Sequence, residues 1–182
     1  MISDTEEKQP RIDAVTHAME TIDYAHHKIY VGSSYYLSGS SILALATNTL
    51  GFVATTPSAA SWMHMLWQMS SSGPITIAVY EGSSGITGGT PSVPVNSNRN
   101  SLNISGAVVL INPTVATPGT QIAGAAFGTV GTNKFAPTGG GTDRDSEIIL
   151  KQSTAYYWKV TANDALITVS YFANWYEHTS KD

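Results

Sequence analysis

The amino-acid sequence predicts an all-β protein built as an antiparallel β-sandwich, and three observations lead to that fold class. The segment Ala165–Glu177 alternates apolar or aromatic residues with hydroxyl and amide residues, a period of two typical of a strand with one buried face. About nine segments of this kind follow one another between turn-forming residues. No helix-length periodic segment separates them, which argues against parallel crossover units. The count favours two packed sheets with jelly-roll connectivity.

The N-terminal residues are predicted to form an arm and a short helix ahead of the sandwich. Residues 3–11 are polar and include Pro10, which disfavours helix in the residue before it. We expect this arm to be mobile or docked on a partner. Apolar residues then recur at spacings of three, four and three from Ile12 to Ile22, as in an amphipathic helix. The predicted organisation is an arm or short helix over residues 1–27 and a jelly-roll-like β-sandwich over residues 28–182.

Each predicted strand is a β-branched or aromatic run bounded by glycine, proline, serine or asparagine. The two longest breaks, Gly82–Asn100 and Pro113–Gln121, are predicted surface loops, and loops of that length usually contact a partner or ligand. The triple glycine Gly139–Gly141 is also predicted to be a break. The predicted strands are Lys28–Leu37, Ile42–Thr55, Trp62–Ser70, Ile75–Glu81, Ser101–Ile111, Gln121–Phe127, Glu147–Gln152, Ala155–Thr161 and Leu166–Tyr176.

The composition favours a permanent assembly over a free monomer. Only 12% of the 182 residues are charged, about half the usual share of roughly 25% in soluble globular chains. A weakly charged surface is cheaper to bury against a neighbour, because fewer ions lose their water. The nine Lys and Arg residues are spread along a chain of net charge -4. Nucleic acid is therefore not an expected partner, since phosphate binding needs clustered cations.

Other compositional features exclude several classes of protein. The sequence contains no stretch of about 18 apolar residues and no apolar core of a signal peptide. We therefore expect a soluble protein without a membrane partner. The absence of cysteine excludes disulfides, thiolate nucleophiles and cysteine-based metal sites. Stability has to come from packing, and a contribution from oligomerisation fits the composition.

The histidines give no catalytic or metal-binding pattern. His26 and His27 are adjacent, so on a strand they point to opposite faces and do not share one metal ion. In its predicted strand His64 alternates with the apolar residues Met63 and Met65, so it points to the more polar face. This position predicts a structural or surface role. His178 follows Glu177, a pair that suggests a general base, but strand neighbours diverge and no nucleophile motif accompanies them.

Two further motifs favour ordinary loops over binding sites. The run Asp143–Glu147 places carboxylates at alternate positions, but it lacks the glycine and spacing of a calcium loop. Gly139–Thr142 lacks the Lys-Ser/Thr sequence and the following helix of a phosphate loop. We therefore assign no catalytic, cofactor-binding or metal-binding residue, and the chain is not expected to be an enzyme.

The aromatic residues point to a surface that binds a partner. In the pairs Tyr35–Tyr36, Tyr156–Tyr157 and Trp175–Tyr176, neighbouring rings face opposite sides of a sheet, so one ring of each pair lies away from the core. Something else must cover that ring. A protein partner is favoured over a carbohydrate, because the hydroxyl, amide and carboxylate cluster expected around a sugar is not evident in the sequence. The candidate interface residues are Arg11, Tyr24, His26, His27, Tyr35, Tyr36, Trp175, Tyr176 and His178.

Six sequence blocks, taken together and in order, resemble a family of small virion proteins of tailed bacteriophages. The resemblance covers about residues 22–182, and none of its blocks is a catalytic motif. It implies a capsid-associated protein, a decoration or cement protein on the outside of the head. The blocks are Tyr24-Ala25-His26-His27-Lys28-Ile29, Trp62-Met63-His64-Met65, Val79-Tyr80-Glu81-Gly82, Asn98-Arg99-Asn100-Ser101, Glu147-Ile148-Ile149-Leu150-Lys151-Gln152 and Trp175-Tyr176-Glu177-His178-Thr179.

The resulting hypothesis is a non-enzymatic protein made in the host cytoplasm and carried on the virion exterior. It binds across junctions of the major capsid protein, as a homotrimer at local three-fold positions, and needs no cofactor. One alternative is a tail or head-fibre adhesion module that binds a host surface glycan or protein. The other is a carbohydrate-active enzyme on a jelly roll, which needs two carboxylates roughly 5 to 10 Å apart. The 13 acidic residues form no convincing pair.

Overall fold

The structure is a computed structural model that describes residues 23–58, 61–128, 138–141 and 147–179, with 138–141 as backbone only. The predicted arm, the predicted helix Ile12–Ile22 and the first four residues of the run Asp143–Glu147 lie outside the described residues. The described part contains the helix α1, Tyr24–Tyr30. Its strands are β1 Ser34–Leu43, β2 Thr49–Thr55, β3 Trp62–Ser71, β4 Ile75–Glu81, β5 Ser84–Thr87, β6 Thr90–Ser92, β7 Val95–Asn96, β8 Val108–Ile111, β9 Thr114–Thr117, β10 Thr120–Phe127, β11 Thr138–Gly141, β12 Ile148–Leu150, β13 Ala155–Ala162 and β14 Ile167–His178.

The strands form two antiparallel sheets packed face to face, which confirms the predicted all-β sandwich. Sheet 1 has the order β7-β1-β14-β3, and both β11 and β12 pair with the free side of β3. Sheet 2 has the order β10-β4-β13-β2-β8-β6. Strands β5 and β9 form a separate two-stranded ribbon.

The pairing pattern is that of a jelly roll. Strand β1 pairs with β14, β2 with β13, β3 with β12, β4 with β10, β5 with β9 and β6 with β8. This is one long hairpin folded back across two sheets. It gives the central orders β1-β14-β3-β12 and β2-β13-β4-β10, as in double-sheet jelly rolls.

The core lies between the sheets and follows the alternation read from the sequence. On β14, Ile167, Val169, Ala173 and Trp175 face inward and are each no more than 2% exposed. The facing sheet contributes Trp158, whose ring stacks on that of Phe52 at a centroid distance of 4.7 Å. Such rings dominate the apolar area buried in a sandwich core.

The chain before β1 is helical, so the predicted strand Lys28–Leu37 is wrong in its first half. Tyr24 and Lys28 face each other one helical turn apart, as do His26 and Tyr30, and both pairs make ring contacts. Gly32, at φ +71°, ends the helical segment and lets β1 begin at Ser34. The predicted domain boundary at residues 27 and 28 falls inside α1. His26 and His27 therefore lie on a helix rather than on opposite faces of a strand.

The remaining strand predictions differ in how well they match the structure. Strands β3, β4, β10, β12, β13 and β14 lie within two residues of their predicted bounds. The predicted strand Ile42–Thr55 is interrupted by a turn in which Thr47 has φ +75°. The predicted loops Gly82–Asn100 and Pro113–Gln121 contain β5, β6, β7 and β9, and the triple glycine lies in β11, paired with β3. Strands β5, β6, β9 and β11 are short and rich in Ser, Thr or Gly, and β7 has only two residues, so none of these sequences shows the apolar alternation that marks a strand.

The buried Tyr156 hydroxyl makes stability sensitive to alkaline pH. It donates a hydrogen bond to Glu81 Oε2 (2.7 Å) and accepts one from the Lys151 backbone N–H (2.9 Å). Burial, followed by the hydrogen bond to Glu81, raises the pKa of Tyr156 above its ordinary value. The unfolded chain then loses this proton at a lower pH than the folded chain. The stability present at neutral pH is therefore lost as pH rises above roughly 10.

We expect the free energy of unfolding of Tyr156→Phe to be lower at neutral pH by about 1 kcal/mol, because two hydrogen bonds are lost. Between about pH 9 and 11 it should fall less steeply than that of the unchanged protein. Urea denaturation at several pH values measures both effects. Tyr30→Phe, on the exposed side of α1, is the control. An equally steep alkaline loss in Tyr156→Phe would contradict the assignment.

Candidate interaction surface

The structure separates the predicted interface residues into inward and outward groups. Tyr35 and Trp175 are 4% and 2% exposed and face the core, so they are removed from the candidate interface. Their neighbours Tyr36 and Tyr176 face the outside of sheet 1, as period-two geometry requires. The prediction that one ring of each pair lies away from the core is confirmed. Arg11 lies outside the described residues.

Rings of the same chain cover the outward aromatics. Tyr24 of α1 packs edge-on against Tyr176 at a centroid distance of 5.8 Å. Phe172 stacks on Tyr36, also at 5.8 Å. On sheet 2, Tyr80 stacks on the outward Tyr157 at 6.0 Å. A protein partner is therefore not needed to cover them, and the aromatic pairs lose their value as evidence for one.

Four side chains form a polar group beside Tyr24, and we call it the histidine cluster: His64, Glu147, Tyr176 and His178. Glu147 Oε1 lies 2.5 Å from His64 Nδ1 and 2.8 Å from the Tyr176 hydroxyl. His64 Nε2 lies 2.9 Å from His178 Nε2. The side chains of His64 and Glu147 are each 14% exposed. Strand pairing brings the cluster together, since β12 and β14 flank β3.

With both imidazoles neutral and Glu147 ionised, the hydrogen-bonding capacities of these groups decide which atom donates in each contact. A carboxylate only accepts, so His64 Nδ1–H and the Tyr176 hydroxyl both donate to Glu147. His64 Nε2 then accepts a hydrogen bond from His178 Nε2–H. Glu177 takes no part, because its carboxylate accepts from Trp175 Nε1 and from Ser105 Oγ on the other side of the strand. The predicted divergence of Glu177 and His178 is confirmed.

The histidine cluster holds chain segments together. Within residues 23–58, 61–128 and 147–179, no three His, Asp or Glu side chains are arranged to hold a metal ion. His64 hydrogen-bonds Glu147 through Nδ1 and His178 through Nε2. The cluster thus ties the start of β12 to β3 and to the end of β14. The sequence placed His64 on the polar face of its strand, and the structure agrees.

The other predicted residues on α1 are exposed. His26 stacks on Tyr30 at 5.6 Å, while His27 makes no ring contact among those described. Lys28 Nζ lies 4.7 Å above the Tyr24 ring, a cation–π contact. Ala25 is the buried residue by which α1 packs on the outside of sheet 1. No helix in the described part of the chain has the length and apolar character needed to cross a membrane.

A network of asparagine side chains closes the end of the sandwich at which β1 begins. The buried Asn96 donates from Nδ2 to the carbonyls of Gly32 (2.9 Å) and Asn103 (3.0 Å). Its Oδ1 accepts from the Asn98 backbone N–H at 2.9 Å. Tyr35 completes the network by donating its hydroxyl to the Ile104 carbonyl at 3.0 Å. These bonds fix the path of residues 97–104 without a strand ladder.

This fixed segment displays apolar side chains to solvent. Leu102 and Ile104 are 97% and 83% exposed. The exposed Tyr30 and Val31 lie alongside, because their carbonyls accept hydrogen bonds from Asn98 and Asn103. Exposed apolar side chains that lie close together on an ordered backbone form a candidate docking surface. We call Tyr30, Val31, Leu102 and Ile104 the apolar pole.

Sequence reasoning missed Leu102 and Ile104 because their spacing looked like one face of a strand. The predicted strand Ser101–Ile111 is wrong over its first seven residues, and pairing begins only at Val108. The available signal was the density of asparagine around these residues. Asparagine side chains hydrogen-bond nearby backbone groups and so compete with a strand ladder.

We expect His64→Ala to lower the free energy of unfolding by about 1–3 kcal/mol, because Glu147 and His178 then lose their common partner inside the cluster. His26→Ala, on the exposed side of α1, is the matched control and should change it by less than about 0.5 kcal/mol. Urea denaturation at neutral pH compares the two variants. Equal losses would show that the cluster adds nothing to stability.

Asn96→Ala should loosen the apolar pole. Removing the amide takes two donors from the Gly32 and Asn103 carbonyls, so amides of residues 97–107 should exchange with solvent deuterium at least about tenfold faster. Asn163→Ala removes an exposed amide that bonds only Thr76 among the contacts described, and it serves as control. Unchanged exchange in Asn96→Ala would contradict the role given to the network.

Comparisons with protein-family models, curated proteins and solved structures found no match for this chain. The resemblance to tailed-phage virion proteins therefore stays a prediction from the sequence blocks. What the structure establishes is the jelly-roll sandwich and the position of each candidate residue on it.

Proposed function

We propose that this protein is a non-enzymatic structural protein of a tailed-phage virion, a decoration or cement protein that docks on the outside of the major capsid lattice. The observation that carries the proposal is the apolar pole. Its side chains are held in solvent by a hydrogen-bonded backbone, so a partner binds them without first ordering the loop. Preordering lowers the entropic cost of docking.

The low charge of the chain supports a contact that stays buried in a lattice. The protein has a net charge of -4 and 12% charged residues, and none of the four residues of the apolar pole is charged. Burying such a surface removes few ions from water. An interface of this kind is selected by shape and apolar contact, which suits a permanent site on a shell.

Trimer formation at local three-fold positions explains how a small pole gives firm attachment. A stable protein interface buries roughly 800 Å² on each partner, more than four side chains supply. Three copies joined in one trimer bind with a high effective concentration, so weak contacts add up to strong attachment.

The mechanism we propose is state-selective binding. Packaged DNA pushes outward on the shell, and a clamp that binds only the expanded lattice stabilises that state by mass action. No chemical step is involved. The protein is made in the host cytoplasm and joins the particle when the lattice presents its sites.

The test is binding to purified expanded heads stripped of this protein, followed by a heat challenge. Leu102→Ser with Ile104→Ser should bind roughly 10- to 100-fold more weakly, because two exposed apolar side chains lose the contact they would bury. Heads refilled with the unchanged protein should resist heating better than stripped heads. Sedimentation with the heads measures binding, and release of DNA measures heat resistance.

The opposite end of the molecule supplies a matched control. Strand β1 runs from the apolar pole to Ile42, about 30 Å away. Ile42 and Leu45 are 67% and 64% exposed there. The variant Ile42→Ser with Leu45→Ser has the same residue types changed and should bind like the unchanged protein. Loss of binding in the control alone would place the contact at the wrong end, and absence of all binding would refute the proposed function.

A further inference from the structure

The outer face of sheet 2 contains a shallow trough of about 530 Å³. Its floor consists of small residues at neighbouring register positions. Gly124 of β10 pairs with Ala78 of β4, and Ala126 pairs with Thr76. Larger side chains at these positions would fill the face, as they do on most sheets. The small residues leave the trough above the sheet, and the Gln121 amide occupies the part of it that lies over Gly124.

An aromatic ring held in one position closes one end of the trough. Tyr80 is half-buried, and its ring stacks on Tyr157 with an interplanar angle of 23°. Tyr157 is itself 8% exposed and lies over Gly51, where an added Cβ would come within 2.8 Å of its ring. The Tyr80 ring therefore has a backing that restricts its rotation. A fixed ring binds a ligand with little loss of side-chain entropy.

Uncharged hydrogen-bonding groups and one ammonium surround the floor. Gln121 pairs in register with Tyr80, and its Nε2 lies over Gly124, 2.7 Å from where a Cβ would stand. Thr76 and Thr161 are paired at the other end. From Tyr80 to Thr76 the strand spans about 13 Å, the scale of a short oligosaccharide. Lys159 pairs with Ala78 between the two ends and is the one charged side chain that lines the described trough.

We infer that this trough binds a glycan, with a sugar ring on Tyr80 and sugar hydroxyls on Gln121, Thr76 and Thr161. A sugar ring has an apolar C–H face and an equatorial belt of hydroxyls, and this trough presents the complement of both. Thr76 Oγ1 accepts from Asn163 Nδ2 at 2.9 Å, which leaves its own O–H to donate to a ligand.

Lys159 sets the preference among glycans. Its ammonium donates and never accepts, so a sugar bearing a carboxylate gains an ion pair beside the floor that a neutral sugar does not. The sequence alone separated these groups by up to 85 positions, from Thr76 to Thr161. Only the pairing of β10, β4 and β13 brings the Gln121 amide, the two threonine hydroxyls and the Tyr80 ring into one trough on the outer face of sheet 2.

The site goes beyond the proposed attachment to the capsid and shares no residue with the apolar pole. Substitutions in the trough can therefore be tested for glycan binding without changing the residues proposed to bind the capsid. Glycan binding by a protein on the head exterior would give the particle contact with a cell surface. The adhesion role, an alternative in the sequence analysis, would then belong to the same chain.

The experiment measures binding of the purified full chain to immobilised chitohexaose, dextran and bacterial lipopolysaccharide O-polysaccharides with and without uronic acids. We expect binding to at least one, with a Kd on the order of micromolar to millimolar. Gln121→Ala and Tyr80→Ala should each weaken it at least about tenfold, and Gly124→Val should abolish it by filling the trough. Phe172→Ala, an exposed ring on the other sheet, should leave it unchanged.

The variants also separate a lost site from a lost fold. Gln121 is exposed, so Gln121→Ala should keep the thermal midpoint and the head binding of the unchanged protein. No binding to any saccharide of the panel, or equal weakening by Phe172→Ala and Gln121→Ala, overturns the inference. Neither result bears on attachment to heads, and loss of head binding in Leu102→Ser with Ile104→Ser does not bear on the glycan trough.

Discussion

The buried side chain of Asn96 is the contact on which the proposed docking surface depends. Its amide joins the turn before β1 to the segment after β7, by bonds to Gly32 and Asn103. An amide offers two donors and two acceptor sites, and apolar side chains of similar size offer none. With this amide in place, Leu102 and Ile104 are displayed on an ordered backbone. Without it, the same residues would sit on a loop whose ordering opposes binding.

The sandwich assigns different roles to the two faces of each strand. Strand β14 presents Val169 and Trp175 to the core and Tyr176 and His178 to the outside. The inward face buries apolar side chains that hold the sheets together. The outward face contributes two residues to the histidine cluster and the surface on which α1 packs. On sheet 2 the small outward-facing residues of β4 and β10 form the floor of the trough. Because alternate residues of a strand point to opposite faces, the residues that pack in the core determine which residues form the histidine cluster and the trough.

Strands with strong alternation were predictable from the sequence. Strand β4 matches its predicted bounds because Ile75, Ile77 and Val79 are apolar at alternate positions, so only one face of the strand can point to the core. The histidine cluster was only half predictable. The parity of His64 gave its face, but its partner Glu147 lies 83 residues away and is brought near by the pairing of β12 with β3. Register between distant strands depends on turns, which local patterns do not specify. Leu102 was misplaced for a related reason, since side-chain amides replaced the expected ladder.

The central claim is that the apolar pole faces a capsid shell, and an image of the intact particle at side-chain resolution tests it most directly. The account predicts density for this chain on the outside of the head, in three-fold groups, with residues 30–31 and 102–104 against the major capsid protein. Density in the tail, inside the head, or on the head with these residues turned to solvent would contradict it.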